Sequence, residues 1–209
     1  MSFLPVALLF ATVLNKGVSG ENSAEGKARF ERDVVDQKPD AVLIYFGLND
    51  TLNEPKFLSR EVFLANLEWM IDKAREQHIV PLISSIHHPD VARLLERHKP
   101  ESYAPTGPTA KVDLYNGDIR NLASRKDVPL ADFCLALDKA GGASPALSSD
   151  GVHLTARGNR LLAATFYRLI MQLPHRPAKI VCFGDSVTFG QGSTSAETYP
   201  AFLQRMFTN

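Results

Sequence analysis

The chain has 209 residues, 44% hydrophobic and 22% charged, with 23 Lys+Arg matched by 23 Asp+Glu. That length suits one domain of ordinary size with room for a sizeable core, and the balance is that of a folded chain rather than a disordered one. Zero net charge without like-charge blocks gives no basis for nucleic-acid binding, and the two cysteines, Cys134 and Cys182, form neither a disulfide framework nor a zinc spacing.

In chain order, residues 3–10 (FLPVALLF) form an apolar run too short to span a bilayer as a helix. No Lys or Arg precedes it and no clean small-x-small cleavage site follows, so a packed N-terminal segment of a cytoplasmic protein is expected, with an export-signal remnant as the alternative. A weak strand at 12–15 comes next, then stronger runs at 41–46 (AVLIYF), 80–86 (VPLISSI), 128–133 (VPLADF) and 179–183 (KIVCF). Continuous β-branched and apolar runs suit strands covered on both faces, as in parallel sheets. Helical patterns lie between them. Phe30 and Val34 mark one; Phe63, Leu67, Met70, Ile71 and Ala74 mark a second, capped by Ser59; Leu161, Leu162, Phe166 and Ile170 mark a third, capped by Thr155. A last helix is expected over 198–207. The alternation predicts an α/β/α sandwich. Residues 87–111 and 140–149 break it and read as loops, the first equally a pocket lining or a tolerated insertion and the second close to any site at Asp150, with His87 and His88 as surface histidines rather than pocket-lining ones, and residues 171–178 (MQLPHRPA) read as a linker.

Four short stretches carry candidate chemistry. The run 179–183 ends abruptly in Gly184-Asp185-Ser186. A serine just past the carboxyl end of a strand presents its hydroxyl to solvent and leaves its backbone N–H free, as a nucleophile with a built-in oxyanion donor requires; a helix-capping serine is the commoner reading of such a residue. A Walker-type phosphate loop is excluded by the Gly184–Gly190 spacing and the missing lysine. Serine needs a base, and Asp150-Gly151-Val152-His153 offers one: across a glycine turn the carboxylate can take the imidazole Nδ1–H and leave Nε2 for the serine. Asn49, in Gly47-Leu48-Asn49-Asp50, ends another strand and could aim an amide N–H at an oxyanion, and Gly20, in Gly17-Val18-Ser19-Gly20, could present a bare backbone N–H. Alone, each is equally a turn. All four, however, fall at or just beyond the carboxyl ends of expected strands, where they can converge.

Together these residues resemble the SGNH hydrolases, the GDSL esterases and lipases. Gly184-Asp185-Ser186 matches the family's nucleophile block, Gly20 its glycine block, Asn49 its asparagine block, and Asp150 with His153 its last block. The resemblance spans nearly the whole chain. The family order is Ser, Gly, Asn, Asp-His, whereas here the serine block comes last, so the chain resembles a circular permutant whose usual termini are joined through 171–178. The resemblance implies a single domain over 1–209 with a flavodoxin-like, five-stranded parallel sheet of family order 2-1-3-4-5. The last strand of this chain then inserts between the first and second, and truncation before Lys179 is expected to prevent folding.

The resemblance further implies acyl transfer through Ser186, His153 and Asp150, with an oxyanion hole of Ser186, Gly20 and Asn49, without metal or cofactor. Short-acyl esters are the expected substrates, with acetylated carbohydrates as a natural class. A lipid-ester hydrolase and a non-catalytic carbohydrate-binding module are the alternatives. A small-molecule ester is the only partner implied, without nucleic acid or stable membrane insertion, and the oligomeric state is left open.

Overall fold

A computed structural model describes residues 11–208; the apolar run 3–10 lies outside the described residues. The elements in chain order are β1 (Thr12–Gly17), α1 (Ser23–Asp33), β2 (Ala41–Tyr45), α2 (Leu48–Leu52), α3 (Arg60–Glu76), β3 (Val80–Ser84), α4 (Val91–Leu94) and α5 (Gly107–Lys126). They continue with β4 (Leu130–Ala131), α6 (Phe133–Lys139), α7 (Ala156–Ile170), β5 (Lys179–Gly184), α8 (Ser186–Phe189) and α9 (Tyr199–Met206).

The runs with the least polar character become the middle of the sheet. Every residue of β2 is buried, as are all but the first of β5. The sheet is parallel throughout, in the order β1-β5-β2-β3-β4, so the last strand lies between the first and second as expected. Alternation along β5 sends successive side chains to opposite layers. Phe183 meets Phe30 of α1 edge-on at 5.3 Å, while Cys182 faces Tyr199 of α9. Helices α1, α3 and α5 pack as one layer and α6, α7 and α9 as the other.

Local signals account for most helix starts. Asn22 closes a capping box with Glu25 at the head of α1, and Ser59, Thr155 and Thr198 each accept a first-turn N–H at the starts of α3, α7 and α9. β1 is an edge strand, and an exposed edge invites pairing with another chain. Gln204 of α9 covers part of this one as a strand would, its Oε1 accepting from Val13 N–H and its Nε2 donating to Ala11 C=O, both at 2.8 Å. The segment 171–178 forms no helix or strand and delivers β5 into the sheet, where Asp40 Oδ2 accepts the N–H groups of Ala178 and Lys179 at 2.8 Å each.

Three expectations are corrected. The strand expected over 128–133 shrinks to Leu130–Ala131, because Asp132 instead caps α6 by accepting from Leu135 N–H. The loop expected over 87–111 holds α4, a 3-10 turn at Pro100–Tyr103 and the first residues of α5. Helix α5 shows a buried face of Val112, Tyr115, Asn116, Ile119, Leu122 and Ala123, in which the polar Asn116 interrupts the apolar pattern. Its amide is satisfied by the Ile86 backbone, at 2.9 Å from N–H and 2.7 Å to C=O. Finally, His87 is not a surface histidine: it is wholly buried, and Tyr45 and Val152 satisfy its two ring nitrogens.

Candidate active site

Strand register puts three of the candidate stretches at one level. Gly184 pairs with Gly17 on one side and with Tyr45 on the other. Ser186 therefore follows β5 by two residues, Gly20 follows β1 by three, and Asn49 follows β2 by four, all at the carboxyl edge of the sheet, where ligands bind in open α/β folds. The crossing at Gly184 leaves no room for a side chain, since a Cβ there would run into the Tyr45 carbonyl and the Thr188 side chain.

Ser186 opens α8, with Asp185 as the cap whose Oδ1 accepts Val187 N–H at 2.9 Å. Its hydroxyl lies 3.1 Å from His153 Nε2, and His153 Nδ1 lies 2.7 Å from Asp150 Oδ2. The second carboxylate oxygen of Asp150 accepts the backbone N–H groups of Val152 (3.0 Å) and His153 (2.7 Å). Burial alone would raise the Asp150 pKa. The His153 side chain and these two backbone donors outweigh it and hold the carboxyl well below its usual range. An ionised carboxylate takes the imidazole Nδ1–H, so Nε2 faces the serine as a bare acceptor.

The loop carrying this pair is braced from outside. Arg97 reaches both Asp150 Oδ2 (3.3 Å) and its carbonyl (3.1 Å), Arg93 donates to the Ser148 carbonyl at 3.0 Å, and Asp90 N–H donates to Gly151 C=O at 2.8 Å. From beneath, His87 Nε2 lies 2.7 Å from Val152 C=O, while its Nδ1 lies 2.7 Å from the Tyr45 hydroxyl. A carbonyl can only accept, so Nε2 carries the proton and Nδ1 accepts from Tyr45. Burial pushes His87 down to about 4, so it stays neutral around neutral pH.

Asn49 is oriented by two neighbours. Its Oδ1 accepts from Asn53 Nδ2 at 2.9 Å, and its Nδ2 donates to Glu21 C=O at 2.9 Å. That leaves the second Nδ2 proton unspent. Gly20 sits at φ +81°, where a side chain would be strained, and neither its N–H nor that of Ser186 meets an acceptor among the described residues. The candidate residues Ser186, His153, Asp150, Gly20 and Asn49 thus share one edge of the sheet.

Around them is a cleft of about 130 Å3. Leu48, Leu52, Leu94 and Val152 give it apolar wall, and Asn53, Arg97 and His98 line it with polar groups. A larger open concavity of about 370 Å3 beside Arg75, His78 and Asp127 lies at the opposite end, where β3 begins, away from these residues.

Two carboxyls beneath the site are unusual. Asp185 is wholly buried, its Oδ2 has no hydrogen-bond partner among the described residues, and burial, opposed mainly by the Val187 N–H, pushes it up to about 7. Asp50 is pushed up to about 6 by burial, although Ser23 N–H and Oγ both donate to it. Nothing local in the sequence sets Asp50 apart from an ordinary turn residue beside Asn49.

One further cluster joins His88, Cys134, Asp138 and Asp113, which the cysteine spacing did not reveal. His88 Nδ1 faces Asp138 at 3.0 Å and Nε2 faces Asp113 at 2.9 Å, while Cys134 Sγ is 3.6 and 3.7 Å from the same two nitrogens and therefore sits over the ring face. Cys134 raises the His88 pKa, burial lowers it and Asp113 raises it further, to about 10. The geometry is that of an imidazolium between carboxylates. A metal ion would need a ring nitrogen that neither carboxylate occupies.

Comparison with known proteins assigns the chain to a family and matches its fold. The GDSL-like lipase/acylhydrolase family matches residues 4–161. A Bacillus subtilis protein described as the uncharacterized lipoprotein YqeF is 30% identical over 72% of this chain and 70% of its own length. An acetylxylan esterase of Geobacillus stearothermophilus is 28% identical over 76% of this chain and 71% of its own. The crystal structure of a lipase/acylhydrolase from Enterococcus faecalis superposes with a TM-score of 0.60 at 24% identity, over 72% of this chain and 71% of that one. Fold and site define a carboxylic ester hydrolase. The chain belongs to the GDSL-like lipase/acylhydrolase family. Among the described residues no helix is long and apolar enough to cross a membrane.

Proposed function

We propose that this esterase hydrolyses short-acyl carboxylic esters, acetyl esters above all, with Ser186 as nucleophile, His153 as general base and acid, and Asp150 as the group that orients the imidazole and stabilises its cation. The observation that carries the reading is the unbroken line Ser186 Oγ–His153–Asp150, at 3.1 and 2.7 Å. His153 Nε2 takes the hydroxyl proton as Ser186 Oγ attacks the ester carbonyl. The resulting oxyanion is held by the Ser186 and Gly20 N–H groups and the spare Nδ2 proton of Asn49. Collapse breaks the carbonyl–alkoxy bond, and His153 hands its proton to the departing alcohol. Water, deprotonated by the same imidazole, then attacks the acyl-enzyme, and Ser186 leaves with the proton.

Cleft size supports a short acyl group. A space of about 130 Å3 walled by Leu48, Leu52, Leu94 and Val152 suits an acetyl or propionyl chain better than a fatty one. Asn53, Arg97 and His98 give the alcohol side hydrogen-bonding groups of the kind a sugar hydroxyl would meet, which makes acetylated carbohydrates our natural class; the Geobacillus relative is named an acetylxylan esterase. We read the chain as one domain, a circular permutant of its family whose nucleophile strand follows the other four strands in sequence. The supports are the order Gly20, Asn49, Asp150-His153, Ser186 and the central position of β5.

A panel of esters graded by acyl length tests the substrate class. Activity falling steeply beyond three or four carbons is expected, and a maximum at long acyl chains would transfer the site to lipid esters.

A further inference from the structure

Arg29 lies on α1, and on a helix surface it would read as an ordinary solvent-facing cation paired with Asp33 four residues on. Instead only 7% of it is exposed. Its guanidinium packs 4.3 Å over the ring of Phe183, and its N–H groups are spent on four partners. Nε donates to the Glu21 carboxylate. Nη1 donates to the Lys16 carbonyl at 2.9 Å and to Asp33 Oδ2 at 3.0 Å. Nη2 donates to the Gly184 carbonyl at 2.9 Å.

These partners are not arbitrary. Gly184 is two residues before Ser186, and its carbonyl also accepts Val18 N–H at 3.0 Å, so it is a joint between the β1 and β5 exits. Lys16 is the penultimate residue of β1, just before the loop that carries Gly20. Glu21 follows Gly20 directly, and its carbonyl is the acceptor that aims Asn49 Nδ2. One planar cation thus touches the strand end behind each proposed backbone donor and the residue that orients the side-chain donor. A burial this complete would be costly for a charge without such partners, and a fork of five N–H groups is needed to serve them; lysine offers three donors from a single point.

We propose that Arg29 is a positioning residue of the oxyanion hole, fixing the relative places of the Ser186, Gly20 and Asn49 donors through Gly184, Lys16 and Glu21. It makes no contact with substrate in this account. Its role rests on the reading of Ser186 as nucleophile and of these three donors as the hole. Loss of the fork loosens donors whose value lies in being fixed before charge develops, so the effect belongs in turnover rather than in ground-state binding.

The test compares Arg29→Lys and Asn49→Ala, singly and together, on an activated acetyl ester, with a fluorophosphonate label read at Ser186 by peptide mass. Arg29→Lys should lower kcat roughly 10- to 100-fold with KM changed less than about threefold. In the double variant the combined loss should be clearly smaller than the product of the two single losses, because Arg29 acts partly through Asn49. Unchanged kcat in folded Arg29→Lys, a loss confined to KM, or fully independent effects overturns the positioning role while labelling at Ser186 leaves the hydrolase reading standing. A wild-type protein that neither hydrolyses the ester nor takes the label overturns both. Should Arg29→Lys fail to fold, Glu21→Gln removes one anchor of the fork and keeps the backbone carbonyl on Asn49. A fall in kcat of about 3- to 10-fold is then expected, and no change counts against the proposal.

Discussion

The two halves of the site are built differently. The proposed nucleophile and oxyanion donors grow from the ends of three adjacent parallel strands and rest on a buried polar layer of Arg29, Asp50, Asp185 and Ser23. The Asp150–His153 pair sits on a loop, with Asp150 30% and His153 17% exposed at the side chain, and is held by Arg97 and Arg93 outside and by His87 beneath. The strand-borne half needs the whole sheet before it exists. The loop-borne half is local, since only two residues lie between Asp150 and His153. Changes in the loop should therefore act on rate with little effect on folding, whereas changes under the strand ends should act on both.

Substitutions can sharpen that contrast. The largest effect short of removing the proposed nucleophile is expected from Asp150→Asn, which keeps the shape of the loop and presents the wrong hydrogen-bonding partner to Nδ1; kcat should drop about 10⁴-fold, while the melting temperature falls only modestly through loss of the ionised carboxylate's contribution. Thermal unfolding and steady-state rates on the same sample check both halves of the statement, and a large loss of stability would erase the distinction drawn here. Asn49→Ala should cost about 10²–10³-fold in kcat with KM nearly preserved. Because its amide also ties Glu21 to Asn53, a modest fall in stability should accompany it.

The contrast extends to pH. Asp185 and Asp50 titrate at about 7 and about 6 in the folded protein, above the ordinary carboxyl value. Their neutral forms favour the native state, so this stabilisation is full below about pH 4 and is lost as pH rises through 6 to 7. Asp150 and Asp33 have the opposite sign. Both are held low, Asp33 at about 2 mainly by Arg32 and Arg29 against some burial, so their stabilisation is present above about pH 4 and disappears in acid. Asp185→Asn removes one titrating carboxyl and keeps the cap on Val187. It should gain stability relative to wild type between pH 5 and pH 8, by on the order of 2–4 kcal/mol. Denaturant unfolding at both values measures it, and a difference that does not move with pH would count against the buried charge.

What the sequence revealed follows the same division. Ser186 was legible because an apolar run stops at it, and Asp150 with His153 because they are neighbours in the chain. The insertion of β5 between β1 and β2 followed from the order of the blocks. What escaped was non-local. Arg29 and Gly184 are 155 residues apart, and His87 and Val152 are 65 apart, and neither pairing leaves a trace in local periodicity. Helix α5 was hidden for a related reason: Asn116, buried at the centre of its inner face, looks like a loop residue until the Ile86 backbone that satisfies it is known.

The central claim is that Ser186 becomes acylated with His153 as its base. Intact-protein mass measurement after rapid mixing with an activated acetyl ester tests it most directly. The account predicts a transient increase of one acetyl group, mapped to the Ser186 peptide and absent from Ser186→Ala. An acetyl group on any other residue, or hydrolysis that persists in Ser186→Ala, would contradict it.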